Sequence, residues 1–238
     1  MPRVARSALA ALFGAVLAGC SLAGHAQCED RQRATASQRD NLTRLLPCLR
    51  DPACSKLVAT EDLGRTCRSS THVWARSADG RFAVIRDLKM CEVPGVANDP
   101  RFVHGLAIPL ARVAGVEDEQ LNAAPEQNGI WQLAWDAALA KGLTEDEIAL
   151  VANPPGNRSQ NQLHIHIVRR NRAVLPPTLE LPDLGSVWQR AFEAGRAIAC
   201  RNYGILVQKS GGKFRLLVEA GDANPEINPE SRYTQERR

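Results

Sequence analysis

Two histidines stand one residue apart in the run Asn157-Arg158-Ser159-Gln160-Asn161-Gln162-Leu163-His164-Ile165-His166-Ile167-Val168, within a chain of 238 residues that contains five histidines. Side chains alternate faces along a strand, so Gln162, His164 and His166 share one face while Leu163, Ile165 and Ile167 share the other. The two imidazoles then stand roughly 6.5 to 7 Å apart at the backbone. An imidazole becomes a nucleophile when a hydrogen bond at one ring nitrogen keeps the other unprotonated. The polar residues from Asn157 to Gln162 form a donor-rich loop suited to gripping phosphate oxygens. Donors on a phosphate with a histidine behind it would split a phosphoanhydride. The same spacing also fits two structural histidines on an edge strand. It fits two ligands of a metal site as well, for which His72 or His104 would supply a third imidazole. No carboxylate cluster surrounds the motif in the sequence.

Around this strand the pattern is α+β. Thr71 to Ala75 and Arg81 to Arg86 are short apolar runs flanking Ser77-Ala78-Asp79-Gly80, a hairpin signal. Phe102 to Ile108 predicts a strand stopped by Pro109. Glu126 to Lys141 predicts a helix, with Ile130, Leu133, Ala134, Ala137 and Ala138 on one face and Gly142 as its stop. Trp131 and Trp135, one turn apart on it, read first as core and only secondarily as a wall for acyl chains. Ile148 to Val151 predicts a brief strand before the loop at Asn153. Val187 to Cys200 predicts a helix, followed by strands at Tyr203 to Gln208 and Lys213 to Val218 around Ser210-Gly211-Gly212. Strands joined by hairpins and flanked by helices favour a largely antiparallel sheet with helices on one face. The division expected is a leader at 1–19, a cysteine-rich helical segment at 28–70, a catalytic domain at 71–222 and a disordered tail at 223–238, where prolines are frequent and apolar residues few.

The N-terminus begins MPRVARSALAALFGAVLAGC, with Arg3 and Arg6 ahead of an apolar run of secretory-signal length, too short for a stable membrane-spanning helix. Leu17-Ala18-Gly19-Cys20 resembles the lipobox of bacterial lipoproteins, which implies lipidation of Cys20 and a membrane anchor without a transmembrane helix. Ser21 after it implies the outer membrane, although an inner-membrane location stays open. An ordinary signal cut after Ala26 is the alternative. The resemblance thus places the protein in the bacterial cell envelope, facing the periplasm. Without the first nineteen residues the chain carries 28 basic against 26 acidic side chains, which speaks against a nucleic-acid binder. Cys28, Cys48, Cys54, Cys67, Cys91 and Cys200 then form an even set without C-x-x-C spacing, read as three disulfides rather than a zinc site.

Gln162-Leu163-His164-Ile165-His166-Ile167 resembles the histidine triad signature, His-φ-His-φ-His-φ-φ with φ hydrophobic, whose central histidine takes a nucleotidyl group. His164 falls on the central position and His166 on the third, while Gln162 departs from the first. Ser159 matches the superfamily's phosphate-contacting serine, and the stretch from Phe102 to Pro109 resembles its histidine-bearing strand, bringing in His104. A longer similarity, over roughly residues 70 to 220, is to the CDP-diacylglycerol pyrophosphatase family. It rests on Asn157 to Asn161, on Leu133-Ala134-Trp135, on Ile108-Pro109 with Arg112 and Gly115, and on Tyr203-Gly204. A short segment from Asn171 to Gly185 and the lipobox depart from it.

That resemblance implies a histidine triad-like sheet and hydrolysis of a membrane-embedded liponucleotide, CDP-diacylglycerol, to CMP and phosphatidate, with no cofactor and no required metal. It implies His164 as nucleophile with His166 contacting phosphate or ribose, and Ser159, Arg158, Asn161 and Gln162 around the phosphates. His104, Arg112 and Asn153 are further candidates. A metal-dependent phosphoesterase and a non-catalytic lipoprotein that binds nucleotides or lipid headgroups are the alternatives. Oligomeric state is not legible.

Overall fold

The computed structural model describes residues 40–54, 57–58, 71–87, 90, 102–173, 179–222 and 228–234. Its strands are β1 (Leu57–Val58), β2 (Thr71–Arg76), β3 (Phe82–Arg86), β4 (His104–Pro109), β5 (Ile148–Ala152), β6 (Ile165–Arg169), β7 (Leu179–Leu181), β8 (Tyr203–Ser210) and β9 (Lys213–Ala220). The helices are α1 (Asn41–Arg50), α2 (Gln120–Ala123), α3 (Gly129–Ala140), α4 (Val187–Gly195) and α5 (Pro229–Tyr233). The sheet runs β1-β2-β3-β4-β6-β5-β8-β9-β7. Its pairs from β2 through β9 are antiparallel, and β1 adds a two-residue parallel pairing to β2. The expected α+β class and antiparallel sheet are present.

Alternation explains the layers. Phe82 and Val84 of β3, Ile148 and Leu150 of β5, Ile165 and Ile167 of β6, and Ile205 and Val207 of β8 face the main core, against Trp131, Ala134, Trp135 and Trp188 of α3 and α4. Trp131 meets Trp188 at 4.9 Å between rings, and Trp135 meets Phe214 at 5.0 Å. The tryptophans are core, on the opposite side of the sheet from the histidines, so they form no wall for a ligand there. The β8–β9 turn is made by Gly211 and Gly212, both at positive φ, which only glycine adopts without strain.

The other face is not left open, contrary to the expectation of helices on one side. At one end Leu42, Leu46 and Leu49 of α1 pack on Ala83, Ile85, Leu106 and Ile108. At the other, Tyr233 of α5 packs near Ala149, Val151 and Leu206. These strand residues are apolar on both faces, so both faces need cover, and two short helices supply it. The Cys48–Cys54 disulfide closes the end of α1, and Cys200 is also disulfide-bonded. Cys28, Cys67 and Cys91 lie outside the described residues, as do the leader and Cys20.

Three sequence expectations shift. Residues Pro125–Asn128 form a 3-10 turn ahead of α3, because Pro125 fixes its own φ and removes a donor at the entry. The helix expected to reach Cys200 ends at Gly195, where Tyr203 packs so close that a Cβ would lie 2.5 Å from its ring. Residues Pro229–Tyr233, in the stretch expected to be disordered, are helical. Asn228 caps the N-terminus through Ser231 N at 2.9 Å, Pro229 sits at the first helical position, and the chain pairs with β6's end at Arg170↔Thr234.

Candidate active site

Between α1 and α5 the sheet face carries a cavity of about 550 Å³. His164 and His166 form its floor, Ser159, Gln160 and Asn157 one wall, and Leu42, Leu45, Ile85 and Leu106 an apolar wall. A second cavity of about 360 Å³ lies beside Trp188 and Arg196 on the helix-covered side and contains no histidine or cysteine.

The donor loop is held from below. Leu163 N donates to Val113 O at 2.7 Å, and Gln162 Nε2 donates to Pro109 O at 3.0 Å and to Ala111 O at 2.9 Å. Gln160 Oε1 accepts from Leu42 N at 3.3 Å, tying the loop to α1. These bonds leave His164, only 6 % exposed, with Nδ1 at 2.8 Å from the carbonyl oxygen of Gln162. A carbonyl only accepts, so Nδ1 carries the proton and Nε2 keeps its lone pair. Burial, and next the neighbouring His166 ring, push His164 down to about 4, against the Gln162 carbonyl and the carboxylates of Glu230 and Asp87, which act upward. His164 is therefore a neutral imidazole near pH 7.

His166 sits in a different environment. Its Nδ1 lies 3.0 Å from His104 Nε2 and 3.1 Å from Glu230 Oε1, while Nε2 lies 3.3 Å from Asn153 Nδ2. Both ring nitrogens face protein atoms, so the expected contact of His166 with phosphate or ribose would have to displace one of them. Asn153 also donates to Glu230 Oε2 at 2.7 Å. His104 Nε2 lies 3.2 Å from Asp87 Oδ2 and 3.3 Å from Glu230 Oε1. The histidine pair is thus bracketed by two carboxylates that the sequence left unseen.

The remaining candidates divide. Ser159 and Asn153 line the cavity, and His104 joins the network beneath it. Asn161 does not line the cavity, and Arg112 is exposed away from it. Gln162 is fully buried, and its amide is committed to two backbone carbonyls, so it holds the loop and does not reach a phosphate. Arg158 is also committed elsewhere, in a two-pronged pair with Glu117 at 2.7 Å on each prong, because the loop turns its side chain toward Gly115 and away from the cavity. Asp87 and Glu230 are the functional candidates that motif reading missed. An Asn-Pro-Glu-Ser capping signature at Asn228 to Ser231 was the available sign that the segment carrying Glu230 is helical.

Residues 97–211 match the family model described as CDP-diacylglycerol pyrophosphatase. Curated proteins named CDP-diacylglycerol pyrophosphatase from Mycobacterium bovis (strain BCG / Pasteur 1173P2) and Mycobacterium tuberculosis (strain ATCC 25177 / H37Ra) are each 41 % identical over 68 residues, 26 % of this chain and 26 % of theirs. A probable CDP-diacylglycerol pyrophosphatase of Mycobacterium leprae (strain TN) is 40 % identical over 82 residues, 32 % of this chain and 29 % of its own. The similarity spans about a quarter to a third of these relatives. The family match contains His104, Asn153, Ser159, His164 and His166, and excludes Asp87 and Glu230. Over residues 97–211, with the two-histidine strand within them, this chain matches the CDP-diacylglycerol pyrophosphatase family.

Proposed function

We propose that the protein hydrolyses CDP-diacylglycerol to CMP and phosphatidate through a nucleotidyl-histidine intermediate. The observation that carries this reading is the state of His164: Nδ1 bonded to the Gln162 carbonyl, the ring buried and neutral, on the floor of a cavity with a polar and an apolar wall. Nε2 attacks the phosphorus bonded to the cytidine ribose, forming a P–N bond as the P–O bond to phosphatidate breaks. Water then attacks the same phosphorus, the P–N bond breaks and CMP leaves. Ser159, which lines this cavity, stabilises charge gathering on the phosphoryl oxygens. The apolar wall suits the glycerolipid half of such a substrate and has no use for a free nucleotide. A lipid on Cys20, in an envelope membrane, would keep the site at the surface where this substrate resides.

The test is rapid quenching of purified protein mixed with CDP-diacylglycerol carrying a labelled cytidine. An acid-labile, base-stable cytidylyl adduct that is absent from His164→Ala supports the reading. Steady CMP release with no adduct at any quench time, or an adduct that persists in His164→Ala, overturns it.

A further inference from the structure

Beneath the cavity, His104 Nε2 faces three groups at once: His166 Nδ1 at 3.0 Å, Asp87 Oδ2 at 3.2 Å and Glu230 Oε1 at 3.3 Å. Two carboxylate oxygens and the His166 ring nitrogen thus converge on one imidazole nitrogen. Burial makes two carboxylates facing one ring nitrogen costly. Arg86 lines the same cavity.

A small dication resolves the arrangement in one step. Asp87, His104 and His166 each present one ligand atom, all within 4.8 Å of one another. Nitrogen or oxygen ligands at the usual 2.0–2.1 Å from a tetrahedral zinc ion lie about 3.3 Å apart. The contacts measured around His104 Nε2 and His166 Nδ1, from 3.0 to 3.3 Å, have that spacing. Mixed imidazole and carboxylate donors favour a transition-metal ion over magnesium or calcium, whose ligands are oxygens.

The geometry points to a transition-metal dication site formed by Asp87, His104 and His166, with Glu230 as a fourth ligand or as the acceptor beside it. His164 is not among its ligands, since its ring nitrogens do not join this cluster. The ion lies next to the proposed nucleophile and distinct from it. The family resemblance implies no required metal, and this site is a property of the residues around the histidine pair, two of which lie outside the matched segment.

Protein stripped with EDTA, dialysed free of it and titrated with Zn²⁺ by calorimetry should bind one equivalent with a dissociation constant of micromolar or below. A crystal soaked in Zn²⁺ should show one anomalous peak among the three side chains. Asp87→Asn should weaken binding at least tenfold, with Glu230→Gln as the second variant should the first fail to fold, and His164→Ala should bind as the parent does. Absence of a bound equivalent for both Zn²⁺ and Mn²⁺ overturns the site. Unchanged affinity in Asp87→Asn and Glu230→Gln, or a peak elsewhere on the molecule, overturns it equally. Because these readings need no substrate, their failure leaves the nucleotidyl-histidine question untouched, and loss of the cytidylyl adduct leaves this site standing.

Discussion

Replacing Arg158 separates a structural guanidinium from a phosphate-binding one. The side chain is 6 % exposed and makes both of its short contacts to Glu117, whose own side chain is 14 % exposed. Arg158→Met keeps most of the volume and strands the Glu117 carboxylate in a largely dry environment. Breaking a buried pair costs about 3–5 kcal/mol, and partial access of water to Glu117 places this case near the lower end, about 3 kcal/mol. With a urea m-value of roughly 2–3 kcal/mol/M, the midpoint should fall by about 1 M. The double variant Arg158→Met/Glu117→Leu removes both charges and should recover all but about 1 kcal/mol. Urea unfolding followed by tryptophan fluorescence measures each step, and kcat/KM for CMP release should stay within about fivefold of the parent in the single variant. A single variant of parental stability whose turnover falls a hundredfold would show that Arg158 grips the substrate, and the reasoning from the Glu117 pair would be wrong.

His164→Ala should lower turnover by about three orders of magnitude or more while substrate still binds, measured as kcat beside equilibrium binding of a non-hydrolysed analogue. Gln162→His, which the superfamily resemblance marks as harmless, should keep turnover within about tenfold but cost about 1–2 kcal/mol in urea unfolding, because one imidazole cannot donate to both Pro109 O and Ala111 O. Acid should destabilise the metal-free protein through His164. Its folded value of about 4 lies below the unfolded 6.5, so the native state binds fewer protons in that window. Stability is therefore fully present above pH 6.5 and is lost as pH falls toward 4, by on the order of 3 kcal/mol from this group. His164→Gln should flatten that part of the stability–pH curve, and an unchanged slope would remove His164 as its source.

Much of the site was legible because its parts are local. The alternation through Leu163, His164, Ile165 and His166 places both imidazoles on the face away from the main core, as expected, and the Gly211-Gly212 turn falls where the glycines require it. Arg158 and Gln162 were misread because their chemistry fits a phosphate while their direction depends on the segment from Pro109 to Glu117, which only tertiary folding brings beneath the loop. Asp87 follows a strand with no motif of its own. It reaches His104 because β3 and β4 pair with Arg86 opposite Gly105, a register that local sequence does not state. Glu230 was hidden by composition: prolines and polar residues read as disorder, while capping, the Arg170↔Thr234 bridge and Tyr233 against the sheet order the segment.

The docking of α5 also sets a timetable. Asp87, His104, Asn153 and His166 all precede residue 223, and the strands beside them pair with strands that end by Ala220, so they can assemble before Glu230 is added. Glu230 arrives afterwards. Until it does, Asn153 lacks its 2.7 Å acceptor and His166 Nδ1 lacks the carboxylate at 3.1 Å. Truncated nascent chains therefore hold His164 and the donor loop but an unfinished charge pattern. Purification tags or fusions joined shortly after Thr234 pull on a helix that lines the histidine cavity, and they should be judged by turnover before they are judged by yield.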